Sequence, residues 1–208
     1  TRERRLVELV AAGRERGVIT AEGLRAALGD RVDPTDPAQR ERGAGGVISQ
    51  PWTVKSVVVE PAERALHIAV GAAPTARGPW LRVDWTWDDA PVAVEVSPSR
   101  TTPPSRSAAD EALACYGAAT RLAAGIGGGR EVAAAIEAAV ARAPADPSYR
   151  LLAGWVALRG GDLRRAREHL AVGLSHEGAP FRRGQLLLWA SRAADAAGDH
   201  AAAVRLRA

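Results

Sequence analysis

Thr1 is the residue type of an N-terminal nucleophile, whose own α-amino group can take the proton from its hydroxyl. Such a nucleophile opens a buried strand of small or apolar residues. Here Arg2, Glu3, Arg4 and Arg5 follow on an amphipathic helical pattern, so Thr1 reads as a helix cap or a chain break. Cys115, the only cysteine, would need a cation or a histidine beside it to act as a thiolate. Its neighbours Ala112, Leu113, Tyr116 and Ala118 instead mark a small packed residue in a helix. The four histidines, His67, His169, His176 and His200, are scattered without paired ligand spacing, so no metal site is expected. His67 alternates with Leu66 and Ile68 and reads as a partly exposed structural histidine on the opposite face of a strand.

Gly125-Ile126-Gly127-Gly128-Gly129 has the composition of a phosphate loop. It lacks a following Lys-Ser/Thr and a preceding strand, and reads as a turn between helices. Trp80, Trp85 and Trp87 with Asp84, Asp88 and Asp89 could line an acyl pocket or an interface, but large aromatics mainly bury area and packing is the expectation. Arg159, Arg164, Arg165, Arg167, Arg182, Arg183 and Arg192 form a solvated face, with a minority placed to line a concave groove for acidic peptide ends. No residue of the chain is assigned a catalytic, cofactor-binding or metal-binding role.

The elements that carry these residues divide the chain in two. Its 208 residues are 47% hydrophobic and 25% charged, the range of a globular protein. No apolar window is long enough for a spanning helix and no secretory signal is visible, so a cytoplasmic protein is expected. Lys55 is the only lysine, and a net charge of +4 spread evenly is no phosphate-binding stripe, which argues against nucleic acid. There is no methionine and no asparagine; a chain beginning at Thr1 without methionine suggests a processed product or a fragment.

Residues 1–98 mix helical and strand patterns. Leu6, Val7, Leu9, Val10 and Ala11 share one helical face, and Thr20 caps a second helix that Gly29 stops. Strand patterns follow at 53–60, 65–71, 80–87 and 92–96, the first two joined by a short turn into a hairpin. Residues 99–105 are a Pro- and Ser-rich linker. Residues 106–208 are Ala-rich and helical, with an internal repeat: Val132, Ile136, Ala139 and Val140 recur 34 residues later as Ala166, Leu170, Gly173 and Leu174. Gly161-Asp162 recurs 37 residues later as Gly198-Asp199. Gly154 takes the small position where paired helices approach closely. This period and pattern resemble the tetratricopeptide repeat, about three copies of it.

The first part also resembles a known family. Arg4-Arg5-Leu6-Val7-Glu8-Leu9, Thr20-Ala21-Glu22-Gly23-Leu24, the strands Thr53 to Pro61 and Ala65 to Gly71, and the stretch Pro74 to Trp80 together look like the end of penicillin acyltransferase-like proteins. These are the acyl-coenzyme A:6-aminopenicillanic acid acyltransferases, autoproteolytic N-terminal-nucleophile hydrolases. The resemblance implies an α+β fold, the C-terminal part of an αββα sheet sandwich, ahead of the all-α repeats. It also implies part of an acyltransferase or linear-amide hydrolase acting in biosynthesis on a small acyl-amide or acyl-thioester. The nucleophilic cysteine would then lie on an upstream segment or partner chain. Where the family commonly shows a Cys-Arg-His-like run, this sequence has Val47-Ile48-Ser49-Gln50, and no catalytic residue carries over. The alternative is a non-catalytic module whose repeats dock a protein or peptide partner. No cofactor, nucleic acid or membrane is expected in either case.

Overall fold

The computed structural model describes residues 2–17, 19–36, 39–43, 45–85, 94–97, 108–126 and 128–208. The fold is α+β, in two compact units. One unit comprises Thr1–Pro34 and Gly46–Ser105; the other joins Thr35–Gly45 to Arg106–Ala208. Thr1, Trp87, Asp88, Asp89 and the linker 99–105 lie outside the described residues.

In the first unit, α1 (Arg2–Glu15) and α2 (Ala21–Leu28) precede an antiparallel sheet in the order β1-β2-β3-β4. Thr20 caps α2 as its type and position predict, its hydroxyl accepting the Gly23 N–H at 3.0 Å. The strands are β1 (Val57–Glu60), β2 (Ala65–Ala69), β3 (Trp80–Asp84) and β4 (Val94–Ser97). The first three are shorter than the alternating patterns suggest, the first two for local reasons. The Thr53 carbonyl is taken by the Thr75 N–H (2.9 Å) and hydroxyl (3.2 Å), which holds the start of the segment away from the ladder. Gly71, at φ 102°, ends β2 in a conformation that side chains disfavour.

Which face of the sheet is covered decides the place of His67. Val58, Ala69 and Trp80 pack with Ala76 against Ala21, Leu24 and Leu28 of α2. Val58 pairs with His67 in the register and so shares that face. His67 is accordingly buried, at 5% exposure, and not partly exposed as its alternation with Leu66 and Ile68 suggested. The opposite face carries Val57, Ile68 and Leu81 in one cross-strand row and Val59, Leu66 and Val83 in the next. The run of valines in β1 suggests a strand covered on both faces, yet Val57 is 48% and Val59 52% exposed.

The second unit is a run of helices in which each packs on the next: α3 (Ala108–Arg121), α4 (Gly129–Arg142), α5 (Pro147–Arg159), α6 (Leu163–His176), α7 (Pro180–Ala196) and α8 (His200–Arg207). The tightest neighbours are α3 with α4, α5 with α6, and α7 with α8. Pro147 and Pro180 start α5 and α7, where a missing N–H costs nothing. The two Gly-Asp turns are built alike. Gly161 and Gly198 stand at φ 80° and 78°, and Asp162 and Asp199 each accept the amide three residues on, at 3.0 Å. The periodic apolar positions are the core: Ile136, Ala139 and Val140 with Tyr149 and Ala153 in one cluster, Ala166 and Leu170 with Leu186 and Ala193 in another. Gly154 is where α5 meets α6, since a Cβ there would stand 2.6 Å from Leu170 Cγ.

The described residues 35–36, 39–43 and 45 form a strap on the edge of this unit that carries the α4–α5 and α6–α7 connections. Arg182 donates to the Thr35 hydroxyl at 3.1 Å. Arg42 lies between Asp36 (3.1 Å) and Glu177 (3.7 Å) and donates to the His176 carbonyl at 3.0 Å. The Gly43 N–H donates to Asp146 Oδ2 at 2.8 Å.

Candidate ligand cavity

A cavity of about 670 Å³ opens at the other end of the helices, among α4, α5, the turn before α4 and the start of α6. Its floor is apolar, from Val132, Ala133 and Ile136 on α4 and Ala153, Val156 and Ala157 on α5. These are positions of the helical period that face the neighbouring helix, and small residues among them leave the space open. Trp155 adds an aromatic wall, with the Arg159 guanidinium 5.0 Å from its ring centroid. Such a stack holds the cation in place while leaving its N–H donors in the plane available.

The charges around the rim are unequal in what they are free to do. Glu137 is engaged: it accepts from His169 Nε2 at 3.0 Å, and His169 Nδ1 in turn faces Arg150 Nη1 at 3.0 Å. Because an arginine is always a donor, that contact makes Nδ1 the acceptor and places the imidazole proton on Nε2, toward Glu137. Asp162 is occupied in capping α6 and lies 3.6 Å from Arg165. Arg130, at the start of α4, and Arg159 have no carboxylate partner among the described residues. The rim therefore offers two uncompensated cations above an apolar floor, beside the positive end of the α4 dipole. Concave, mostly apolar sites with a few converging polar groups are the usual form of a ligand site.

The residues singled out from the sequence are dispersed. Cys115 is a half-buried thiol packed on the first helical core, as its neighbours implied. His67 Nε2 faces the Glu60 carboxylate at 3.1 Å, and His200 sits at the surface by Asp195 (3.1 Å). Among the described residues no three metal-ligating side chains come together. Trp80 is buried, its indole N–H donating to the Ala76 carbonyl at 3.2 Å, and Asp84 pairs with Arg82. Gly125, Gly128 and Gly129 lie in the turn from α3 to α4, and two of them line the cavity.

Of the seven arginines, Arg159 and Arg165 line the cavity. The others are committed elsewhere: Arg164 to Glu168, Arg167 to Asp199, Arg182 to Glu177, Arg183 to the Leu174 carbonyl and Arg192 to the Trp189 ring. Arg130 and Trp155 were not anticipated. Arg130 follows a glycine run that draws attention as a loop, and Trp155 stands in an Ala- and Leu-rich helix that reads as core. Among the described residues no helix is long and apolar enough to cross a membrane. Compared with known protein families, with curated proteins and with solved structures, the chain finds no match in any of the three.

Proposed function

We propose that the chain works as a binding module, in which a tetratricopeptide-like array of three helix pairs docks an apolar segment ending in a carboxylate. The observation that carries this reading is the pair Arg130 and Arg159, without carboxylate partners among the described residues, at the mouth of an apolar cavity. An aliphatic chain fills the floor, and the carboxylate meets the two guanidinium groups. Charge-assisted hydrogen bonds of this kind contribute about 1.5–3 kcal/mol each. The Gly-Asp turns at 161–162 and 198–199 and the buried period of 34 residues support the repeat assignment.

The test is a titration of a short aliphatic peptide with a free C-terminal carboxylate, beside its C-terminal amide, by calorimetry or tryptophan fluorescence. The acid is expected to bind and the amide to bind at least about ten-fold more weakly, the ratio that 1.4 kcal/mol produces. Arg130→Glu and Arg159→Glu are each expected to weaken the acid by a similar factor and to leave the amide unaffected. Equal binding of acid and amide, or indifference to both substitutions, would remove the reading.

A second reading comes with the resemblance to N-terminal-nucleophile acyltransferases, and the open edge of the sheet favours it. Ser56 O accepts the Ala69 N–H at 2.9 Å, so by alternation the N–H and C=O of Val57 and Val59 point away from β2. With their exposed side chains, these groups fit a further strand added beyond β1, as an upstream nucleophile-bearing segment would require. Intact mass and N-terminal sequencing of the native protein decide it: a tightly bound upstream polypeptide beginning with cysteine is the required result.

A further inference from the structure

The strap is bound to its helical unit in the manner of a ligand and not in the manner of a core element. Of its described residues, Thr35, Asp36, Gln39, Arg40, Glu41, Arg42, Gly43 and Gly45, none is aliphatic or aromatic. Among these described residues apolar burial, the main source of permanent packing, contributes almost nothing to the seat. What holds it is a set of directional bonds to groups that the α4–α5 and α6–α7 connections present.

Those groups are fixed before the strap arrives. Asp146 is the N-cap of α5 and holds the Ser148 N–H at 2.8 Å, leaving Oδ2 for an incoming amide. Glu177 is clamped by Arg182 (2.9 and 3.0 Å) and by the Ala179 N–H (2.8 Å). Burial pushes the Asp146 carboxyl above the ordinary carboxylate range, and the Gly43, Ser148 and Tyr149 amides and Arg42 offset this only in part. The site is thus the Glu177 carboxylate and the His176 carbonyl set against one guanidinium, with the Asp146 carboxylate placed for the amide of the next residue. Next to it, the residue after the arginine must be glycine: a Cβ at position 43 would stand 1.9 Å from Tyr149 Oη and 2.4 Å from Cζ. Tyr149 is 1% exposed, in the core, and cannot yield.

We propose that this edge of the helical unit is a recognition site for an extended Arg-Gly segment, filled in the resting chain by its own Arg42-Gly43, and that a partner protein carrying an Arg-Gly segment binds by taking the place of the strap. The arginine supplies the charge that meets Glu177 and the His176 carbonyl, the following amide reaches Asp146, and the missing side chain lets the backbone lie on the Tyr149 ring. This site is separate from the cavity at the opposite end of the helices and stands or falls independently of it. An occupant held by polar bonds with little apolar burial belongs to the class of elements that open locally at low free energy.

The experiment uses the full chain and a fluorescent peptide of residues 34–46, read by anisotropy. Gly43→Val in the chain drives its own strap off Tyr149 and leaves the receiving groups intact. The peptide is expected to bind this variant, and to bind the unaltered chain at least about ten-fold more weakly, because a tethered occupant competes at an effective concentration on the order of millimolar. Peptides with Gly→Val or Arg→Ala at the corresponding positions are expected to lose binding to the opened chain. Far-UV circular dichroism confirms that the helices persist; should Gly43→Val fail to fold, Arg42→Ala opens the same seat. Absence of peptide binding to a folded, opened chain overturns the proposal, as does equal binding to opened and unaltered chains or indifference to the peptide's Arg and Gly.

Discussion

Gly154→Val is expected to be the most damaging single substitution in the helical unit. Even a bare Cβ at 154 would stand 2.6 Å from Leu170 Cγ and 2.9 Å from its Cδ2, closer than carbon atoms pack. Leu170 is fully buried among Ala166, Leu186 and Ala190, so it has nowhere to move. Overpacking of this kind costs about 1–3 kcal/mol and more where the backbone must part, and valine adds two methyls to the clash. Gly154→Ala separates the opposing effects. Helix propensity favours alanine by about 1 kcal/mol, so a net loss in urea melts would measure the steric cost beyond that gain. Gly184→Ala on α7, where nothing lies within 4 Å of the added Cβ, has only the gain and is expected to stabilise. Leu170→Ala alone should cost about 2–5 kcal/mol through the cavity it leaves. The double variant Gly154→Ala/Leu170→Ala is expected to cost less than the two singles summed, because the new methyl enters the vacated space; contacting residues couple by about 0.5–3 kcal/mol. Strict additivity would mean that α5 and α6 do not meet at these residues.

That contact was legible because its cause is local and periodic. Small residues at helical spacing, a Gly-Asp pair repeated after 37 residues and a threonine ahead of a short amphipathic run are each short-range signals. They mark the cap of α2, the Gly-Asp turns ahead of α6 and α8, and Gly154 as the point of close helix approach. The strand ends and the covered face were less legible. Ala65, His67 and Ala69 face α2 while Leu66 and Ile68 face the other way, although the latter pair is the more apolar. Period-two alternation gives two faces and says nothing about which one a helix will cover. The site was legible only as a class of residue. Arg159 stood among seven candidate arginines, and nothing in the sequence distinguishes a cation stacked on Trp155 from one paired with a carboxylate, as Arg167 is with Asp199. The strap was illegible altogether. Residues 31–46 read as a polar, turn-rich loop, because what holds them lies 103 residues away for Gly43 and 134 for Arg42.

Arg42→Ala and Gly43→Val are expected to destabilise the helical unit by the same amount, although one removes a charge and the other adds bulk. Arg42 is 3% exposed between Asp36 and Glu177, at 2% and 5%. Removing one partner from a buried pair typically costs about 3–5 kcal/mol, since the remaining charge stays buried and unpaired. Two features lower that figure here. Arg40 still reaches Asp36 at 3.0 Å and Arg182 still holds Glu177 at 2.9 Å. More decisively, the carboxylates need not remain buried, because release of the strap returns them to water. The loss therefore cannot exceed the free energy with which the strap docks. Gly43→Val meets the same ceiling: its clash with the Tyr149 ring is relieved by the same release. It follows that Arg42→Ala/Gly43→Val should cost no more than either single substitution, the opposite of independent sites, whose effects add to within about 0.5 kcal/mol. Urea melts of the two singles and the double, followed by helix content, measure this directly. A double variant whose loss equals the sum of the singles would show that residues 35–45 stay seated in all three, and that their hold on the helices is that of a core element.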